Sequence, residues 1–272
     1  IYDNNGYGIG TSSPLVLDGV TIERSKQYAN LLMGCNGTDG VTIKGGTRII
    51  NSKADGILSR GGYIKLQNGT IENNAQNGIN LEVGTIEMTG GTIRNNKNHG
   101  IWIIVNSSAE KPNLDGNYIS GGDIYGNSNN NIFINNRASV LRIKGGNIYN
   151  SINGSSVISN GHVDIVGGTI TKNNNTNGHA VINYGELTMS GGTINASNVY
   201  AIENKSDIGV GYITLTGGNI NDNTTMIFHN GADGDKGCQI YSRANGGREI
   251  SVYLNGQNKY ITTGNDMHNF YV

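Results

Sequence analysis

One phrase recurs down the chain: GGTIRNN at 90–96, GGNIYNS at 145–151, GGTITKNN at 167–174, GGTINAS at 191–197 and GGNINDN at 217–223. Aligned on its isoleucine, the third residue after it is Ser25, Ser52, Asn74, Asn96, Asn127, Ser151, Asn173, Ser197 and Asn223, a column of only Asn and Ser. Successive members are 27, 22, 22, 31, 24, 22, 24 and 26 residues apart. That period is too short for a pair of helices with their turns. It fits three short strands and three bends, the repeating unit of a solenoid.

Alternation within one unit supports strands. In NGINLEVGTIEMTGGTI (77–93), Ile79, Leu81, Ile86, Met88 and Ile93 are apolar, whereas Asn80, Glu82, Glu87 and Thr92 are polar. Period two indicates strands, and Gly78, Gly84, Gly90 and Gly91 mark the bends. Stacked at about 4.8 Å per rung, nine such units make a rod roughly 40 to 45 Å long. The expected fold is all-β, a right-handed parallel β-helix solenoid of about nine or ten rungs, the hand following from the preference of parallel crossovers. An inner column of Ile, Val and Leu forms its core, and the Asn/Ser column is expected to hydrogen-bond along the axis. Residues 1–272 make one domain, with 1–30 an imperfect first rung and 237–272 a last rung. Its two alternating runs around Asn255-Gly256 are expected to form a capping hairpin.

Composition narrows the function classes. Gly 43, Pro 2 and 14% charged residues describe turn-dense β structure. A net charge of −1 gives no electrostatic basis for binding nucleic acid or an anionic membrane. No apolar run approaches the roughly 20 residues that span a bilayer. The chain opens at Ile1 in polar, Gly-rich sequence and is expected to be a piece of a longer surface protein, monomeric as it stands. Cys35 precedes the second ladder residue and Cys238 follows the ninth, so rungs separate them and both are expected to be free thiols.

The rung length and the Asn ladder resemble the pectate lyase-like superfamily, and phrases such as TMSGGTI (188–194) are similar to extracellular solenoids of bacterial surface proteins. The resemblance covers nearly the whole chain and implies secretion or a cell-surface location. It leaves activity open, because such families include polysaccharide lyases, polygalacturonases and adhesins. The resemblance would supply an Arg-Ile-Lys triplet, present as Arg142, Ile143 and Lys144. Its paired Asp motifs are missing, so the triplet reads as one more alternating strand.

Three clusters are candidates for chemistry. The residue three past the ladder is Asp55, Asn77, His99 and Asn130 on four successive rungs, which makes Asp55 and His99 an acid–base candidate. A tight bend explains the same residues, since each precedes Gly or Asn. Asp233 and Asp235 in HNGADGDKGC (229–238) are a candidate calcium loop without the spacing of a dedicated site. No other metal or cofactor is expected, because His162, His179, His229 and His268 are scattered.

The third cluster is a sheet face. Alternation points Ile57, Ser59, Ile79, Leu81, Ile101, Ile103, Ile132 and Ile134 inward, and therefore Leu58, Arg60, Asn80, Glu82, Trp102, Ile104, Phe133 and Asn135 outward. The only Trp thus neighbours one of three Phe, beside the longest interval and its excess NSSAEKPNLDGN (106–117). Either that segment covers the rings as a satellite core, or Trp102 and Phe133 form a platform for sugar rings rimmed by Arg60, Asn80, Glu82 and Asn135. The expected function is a glycan-binding or adhesin module without catalysis. The alternatives are a lyase or hydrolase of acidic, pectin-like polysaccharide, and a structural spacer.

Overall fold

Parallel pairing organises every level of the chain. The computed structural model describes residues 1–271 apart from 38, 105–115, 174–176, 198, 206–211, 223–225, 231–237, 244–251, 255–261 and 264–269. All named strand pairs among the described residues are parallel, and no helix occurs there. The coil has three faces. The first stacks Ile9–Thr11, Leu31–Met33, the start of Ile57–Leu66, the start of Ile79–Met88, Ile101–Ile103, Ile132–Ile134, Val157–Ser159, Val181–Asn183 and Ile202–Lys205. The second runs from Leu15–Asp18 through Gly40–Lys44 to Tyr212–Leu215 and beyond. The third, which leads into the ladder, stacks nine strands from Thr21–Glu23 to Asn219–Asp222, eight turns from first to last.

The interior is one continuous column in which each rung contributes a residue such as Ile57, Ile79, Ile101, Ile132 and Val157, all at most 1% exposed. Each such side chain contributes on the order of 1.5 to 3 kcal/mol relative to exposure. The recurrent Gly-Gly is the bend from second to third face. Its second glycine is left-handed, as at Gly122 (φ 86) and Gly146 (φ 80), and a Cβ on Gly146 would lie 2.8 Å from the Gly122 carbonyl oxygen. Rungs stack there backbone on backbone, which leaves no room for a side chain. After the insertion, Asn117 restores the register: its Oδ1 accepts from Ile86 N at 3.0 Å and its Nδ2 donates to Val140 O at 3.0 Å.

The Asn/Ser ladder is present through its first six members, all buried. Asn74 N and Nδ2 donate to Asn96 Oδ1 at 3.1 and 2.9 Å, and Asn96 N and Nδ2 donate to Asn127 Oδ1 at 3.0 and 2.9 Å. Two departures follow the sequence. Where the next ladder residue is Ser, a local Asn substitutes: Asn131 Oδ1 accepts from Asn127 Nδ2 at 2.9 Å, and Asn30 Oδ1 accepts from Ser25 N at 3.1 Å. Beyond Ser151 the expected Asn173 is exposed. Lys172 is fully buried instead, and its Nζ donates to Ser151 O at 2.6 Å and to Ser151 Oγ at 3.2 Å. The strand continues to Lys172, which pairs with Ala196 rather than bending one residue earlier. Asn223 lies outside the described residues.

The ends keep the same parallel pairing. The first rung is complete, with three strands in parallel register, and Ile1 N donates to Thr21 O at 2.9 Å along its edge. At the C-terminal end Val252–Leu254 pairs in parallel with the strand at 213–215 and with Phe270–Tyr271, and Thr262–Thr263 with the strand at 226–230, while the turn expected at Asn255-Gly256 lies outside the described residues. Cys35 is a buried free thiol, whereas the side chain of Cys238 lies outside the described residues.

Candidate functional site

The first face brings the aromatic residues together as expected. Trp102 is the direct register partner of both Phe133 and Asn80 on the flanking strands. Both rings are partly buried. The His99 ring joins them, its centroid 6.0 Å from that of Trp102 and 5.1 Å from that of Phe133, inclined by 53° and 52°. Inclined rings at these separations attract edge to face. Three rings on two adjacent rungs therefore make one aromatic surface. Whether the segment 106–117 covers it falls on residues outside the described ones, apart from Gly116 and Asn117.

The face also continues further than spacing suggested. Phe133 pairs with Ile158 and Ile158 with Ile182, so the outward column stays apolar for two rungs past the aromatic rings before it reaches Glu203.

Asp55 and His99 belong to a second polar ladder. Asp55 Oδ1 accepts from Asn77 N at 2.9 Å and from Asn77 Nδ2 at 2.8 Å. Asn77 Oδ1 accepts from His99 N at 3.1 Å, His99 Nδ1 from Asn130 N at 3.3 Å, and Asn130 Oδ1 from Ser155 N at 2.8 Å. Ser155 Oγ accepts from His179 N at 2.8 Å, and His179 Nδ1 from Tyr200 N at 3.0 Å. Asp55, Asn77, His99 and Asn130 are all buried. Burial holds the imidazole of His99 neutral, its pKa lowered from 6.5 to about 4. Burial raises the Asp55 carboxyl, against the opposing pull of hydrogen bonds from Asn80 and Asn77. As acceptors for backbone N–H groups, Asp55 and His99 are occupied in a way that the bend reading accounts for and acid–base chemistry does not need.

The rim residues part company. Arg60 Nε and Glu82 Oε2 form an exposed ion pair at 3.0 Å, worth little in stability. Asn135 is exposed, its Oδ1 3.5 Å from Asn160 Nδ2. Asn80 is not on the rim: it is 7% exposed, and its Nδ2 donates to Asp55 Oδ2 at 3.0 Å. Asn80 Oδ1 and Trp102 Nε1 are shielded from solvent and have no hydrogen-bond partner among the described residues.

The remaining candidates lie elsewhere. Arg142 pairs with Asp164 at 2.7 Å, Ile143 is buried, and Lys144 Nζ sits 4.3 Å from the Tyr118 ring centroid, as an alternating strand requires. Asp233 and Asp235 lie outside the described residues, and among the described ones no group of three His, Cys, Asp or Glu gathers to hold a metal. No helix there is long and apolar enough to cross a membrane. Spacing missed one aromatic pair: Tyr125 and Tyr149, on paired strands of the third face, stack at 4.7 Å and 10°. Each follows the ladder-defining isoleucine by one residue, so alternation alone places both outward. Comparison with known proteins finds no match to this chain, whether among family models, curated proteins or solved structures.

Proposed function

We propose that the chain is a secreted or cell-surface β-solenoid module, of the kind found in bacterial adhesins, that binds polysaccharide without cleaving it. The observation that carries this reading is the register pairing of Trp102 with Phe133 on an outward face, bound together by the His99 ring. Aromatic surface concentrated on adjacent rungs suits the apolar faces of sugar rings, and the long, uniform first face suits an extended polymer. The resemblance of its ladder and rungs to the pectate lyase-like superfamily supports a carbohydrate ligand and an extracellular location. It does not favour catalysis here, since the side chains that would serve as acid and base are hydrogen-bonded to backbone amides of the next rung.

Affinity electrophoresis against a panel of polysaccharides tests the reading, with the fluorescence of the single Trp as a second signal. Trp102→Ala is expected to weaken binding several-fold to tenfold, on the order of 1 kcal/mol. Binding that survives Trp102→Ala combined with Phe133→Ala would move the site elsewhere. Release of unsaturated or reducing ends, abolished by Asp55→Asn or His99→Ala, would establish an enzyme instead.

A further inference from the structure

The total charge of −1 conceals a basic corner, where the third face turns into the first. On four successive rungs the residue after the ladder position is Lys26, Lys53, Ala75 and Lys97. Backbone bonds hold them in one column: Lys53 N donates to Ser25 O, Ala75 N to Ser52 O and Lys97 N to Asn74 O, each at 2.9 Å. The ladder residues before them are buried, and all four are exposed. Lysines elsewhere are paired, Lys44 with Asp18 at 3.3 Å and Lys65 with Glu87 at 3.1 Å. Lys53 and Lys97 form no ion pair among the described residues.

Two arginines extend the corner onto the third face. Arg48 and Arg94 hold Glu72 from either side at 3.2 and 2.7 Å. That carboxylate is 8% exposed and the arginines are 51% and 38% exposed, so solvent meets the cations. Asp55, in the bend that follows Lys53, is buried as well. Between arginines and lysines runs a row of amides. Asn51, Asn73 and Asn95 are left-handed, at φ 58, 57 and 55, and exposed, and their side chains make no hydrogen bond among the described residues.

We propose that this corner docks a linear acidic polysaccharide along the axis, its carboxylate or sulfate groups pairing with Lys53, Lys97 and Arg94 and its hydroxyls with the amides of Asn51, Asn73 and Asn95. The site is separate from the Trp102 surface, and neither depends on the other. Lysine is a compact, mobile point charge, which suits anions spread along a polymer. Lys53 and Lys97 stand two rungs apart, about 10 Å, on a straight column. Amides both donate and accept, as hydroxyls do, and a polysaccharide carries hydroxyls on every ring. Residues 48–53, 70–75 and 92–97 include no aromatic side chain on which the bases of a single-stranded nucleic acid would stack.

The test is affinity electrophoresis of the chain in gels holding heparin, polygalacturonate or uncharged dextran, at low and high salt, with duplex DNA as a competitor. The variants are Lys53→Gln with Lys97→Gln, and Lys65→Gln as a control that removes a charge from the second face. The corner lysines are exposed and unpaired, so glutamine leaves the fold intact. At low salt one acidic polymer or both should retard the chain more than dextran does, and high salt should abolish the difference. Heparin alone would assign sulfate to the site, and polygalacturonate alone carboxylate. Each corner lysine removed should weaken binding about fivefold, as for a lysine at an anionic surface, while Lys65→Gln binds as the wild type does. Equal weakening by Lys65→Gln would reduce the effect to total charge and overturn the site. Retardation no greater than in dextran would overturn it too, as would preferential binding of the duplex. Loss of acidic-polymer binding in Trp102→Ala would transfer the ligand to the aromatic surface.

Discussion

A Cβ placed on Gly78 would lie 2.8 Å from the side-chain amide nitrogen of Asn96, the ladder residue one rung further along. The same relation joins Gly56 to Asn74 and Gly100 to Asn127, each at 2.7 Å. Gly56, Gly78, Gly100 and Asn131 occupy one column, as do Asn30 and Gly56, because the residues that follow them pair in register. Among the rungs from Asn30 to Asn131 this column carries a side chain at Asn30 and Asn131 alone, and there the next ladder residue is the smaller Ser52 or Ser151. Between Asn30 and Ser151 bulk is exchanged between two neighbouring columns, so the volume of these rungs stays filled.

This exchange predicts non-additive mutations. Gly78→Ala and Asn96→Ser are each expected to destabilise the fold by about 1 to 3 kcal/mol, the first by overpacking and the second by orphaning the Asn74 donors. Combined, they should recover about 1 kcal/mol of the sum, and not all of it, since the Gly100 carbonyl oxygen also lies 2.7 Å from the added Cβ. Urea unfolding of the four proteins measures the coupling. Simple addition of the two single effects would refute the exchange.

His99 predicts a loss of stability on acidification. Its pKa is about 4 in the folded chain against 6.5 for the free side chain, so the unfolded state binds the proton first. Its neutral, ladder-bonded form contributes fully above pH 6.5, and that contribution falls away as pH drops to about 4, by roughly 3 kcal/mol. Asp55 acts in the opposite sense, because its raised pKa favours proton uptake by the folded chain. His99→Asn keeps an acceptor, as Asn77 and Asn130 do, and isolates the effect: the wild type should lose stability relative to this variant between pH 6.5 and 4. Parallel pH profiles for the two proteins would contradict it.

Lys172 predicts a slope at the alkaline end. Burial lowers its pKa from 10.5 to about 8, so between these values the unfolded chain holds the proton that the folded chain has released. Wild-type stability should therefore rise with pH across that window relative to Lys172→Met. At neutral pH the methionine variant is expected to be at least as stable, since a long apolar side chain replaces a buried charge. Chemical denaturation at pH 7, 8 and 10 checks both statements.

Cys35 is expected to react with a thiol reagent only on unfolding. It is 2% exposed, and burial raises its thiol pKa, which lowers the fraction of reactive thiolate. Rapid modification in the native state would show that the turn after Leu31–Met33 opens.

The parts legible in the sequence are those that repeat. Isoleucine alternation and the invariant Asn/Ser position specified the parallel coil, the inner column and the adjacency of Trp102 and Phe133, because all three depend on local geometry repeated at each rung. Contacts made between rungs were less legible. The link from His99 Nδ1 to Asn130 N joins residues 31 apart, and no local pattern separates such a ladder from ordinary bend chemistry. Lys172 occupying the ladder position contradicts every compositional expectation for a buried column. It is possible only because a long side chain reaches Ser151 on the previous rung. Asn80 looked like a rim residue by alternation and is buried because Asp55 draws its amide inward.

From Ser52 to Asn96 the ladder advances by 22 residues and then by 22 again, with the same donor and acceptor atoms closing each step. Excising residues 75–96 would join Asn74 to Lys97 and present the next rung with the interface it already uses. The molecule would shorten by one graduation of about 4.8 Å. Axial length is thus a quantity that the gene can count in whole units, and the solenoid is a ruler whose marks are amides.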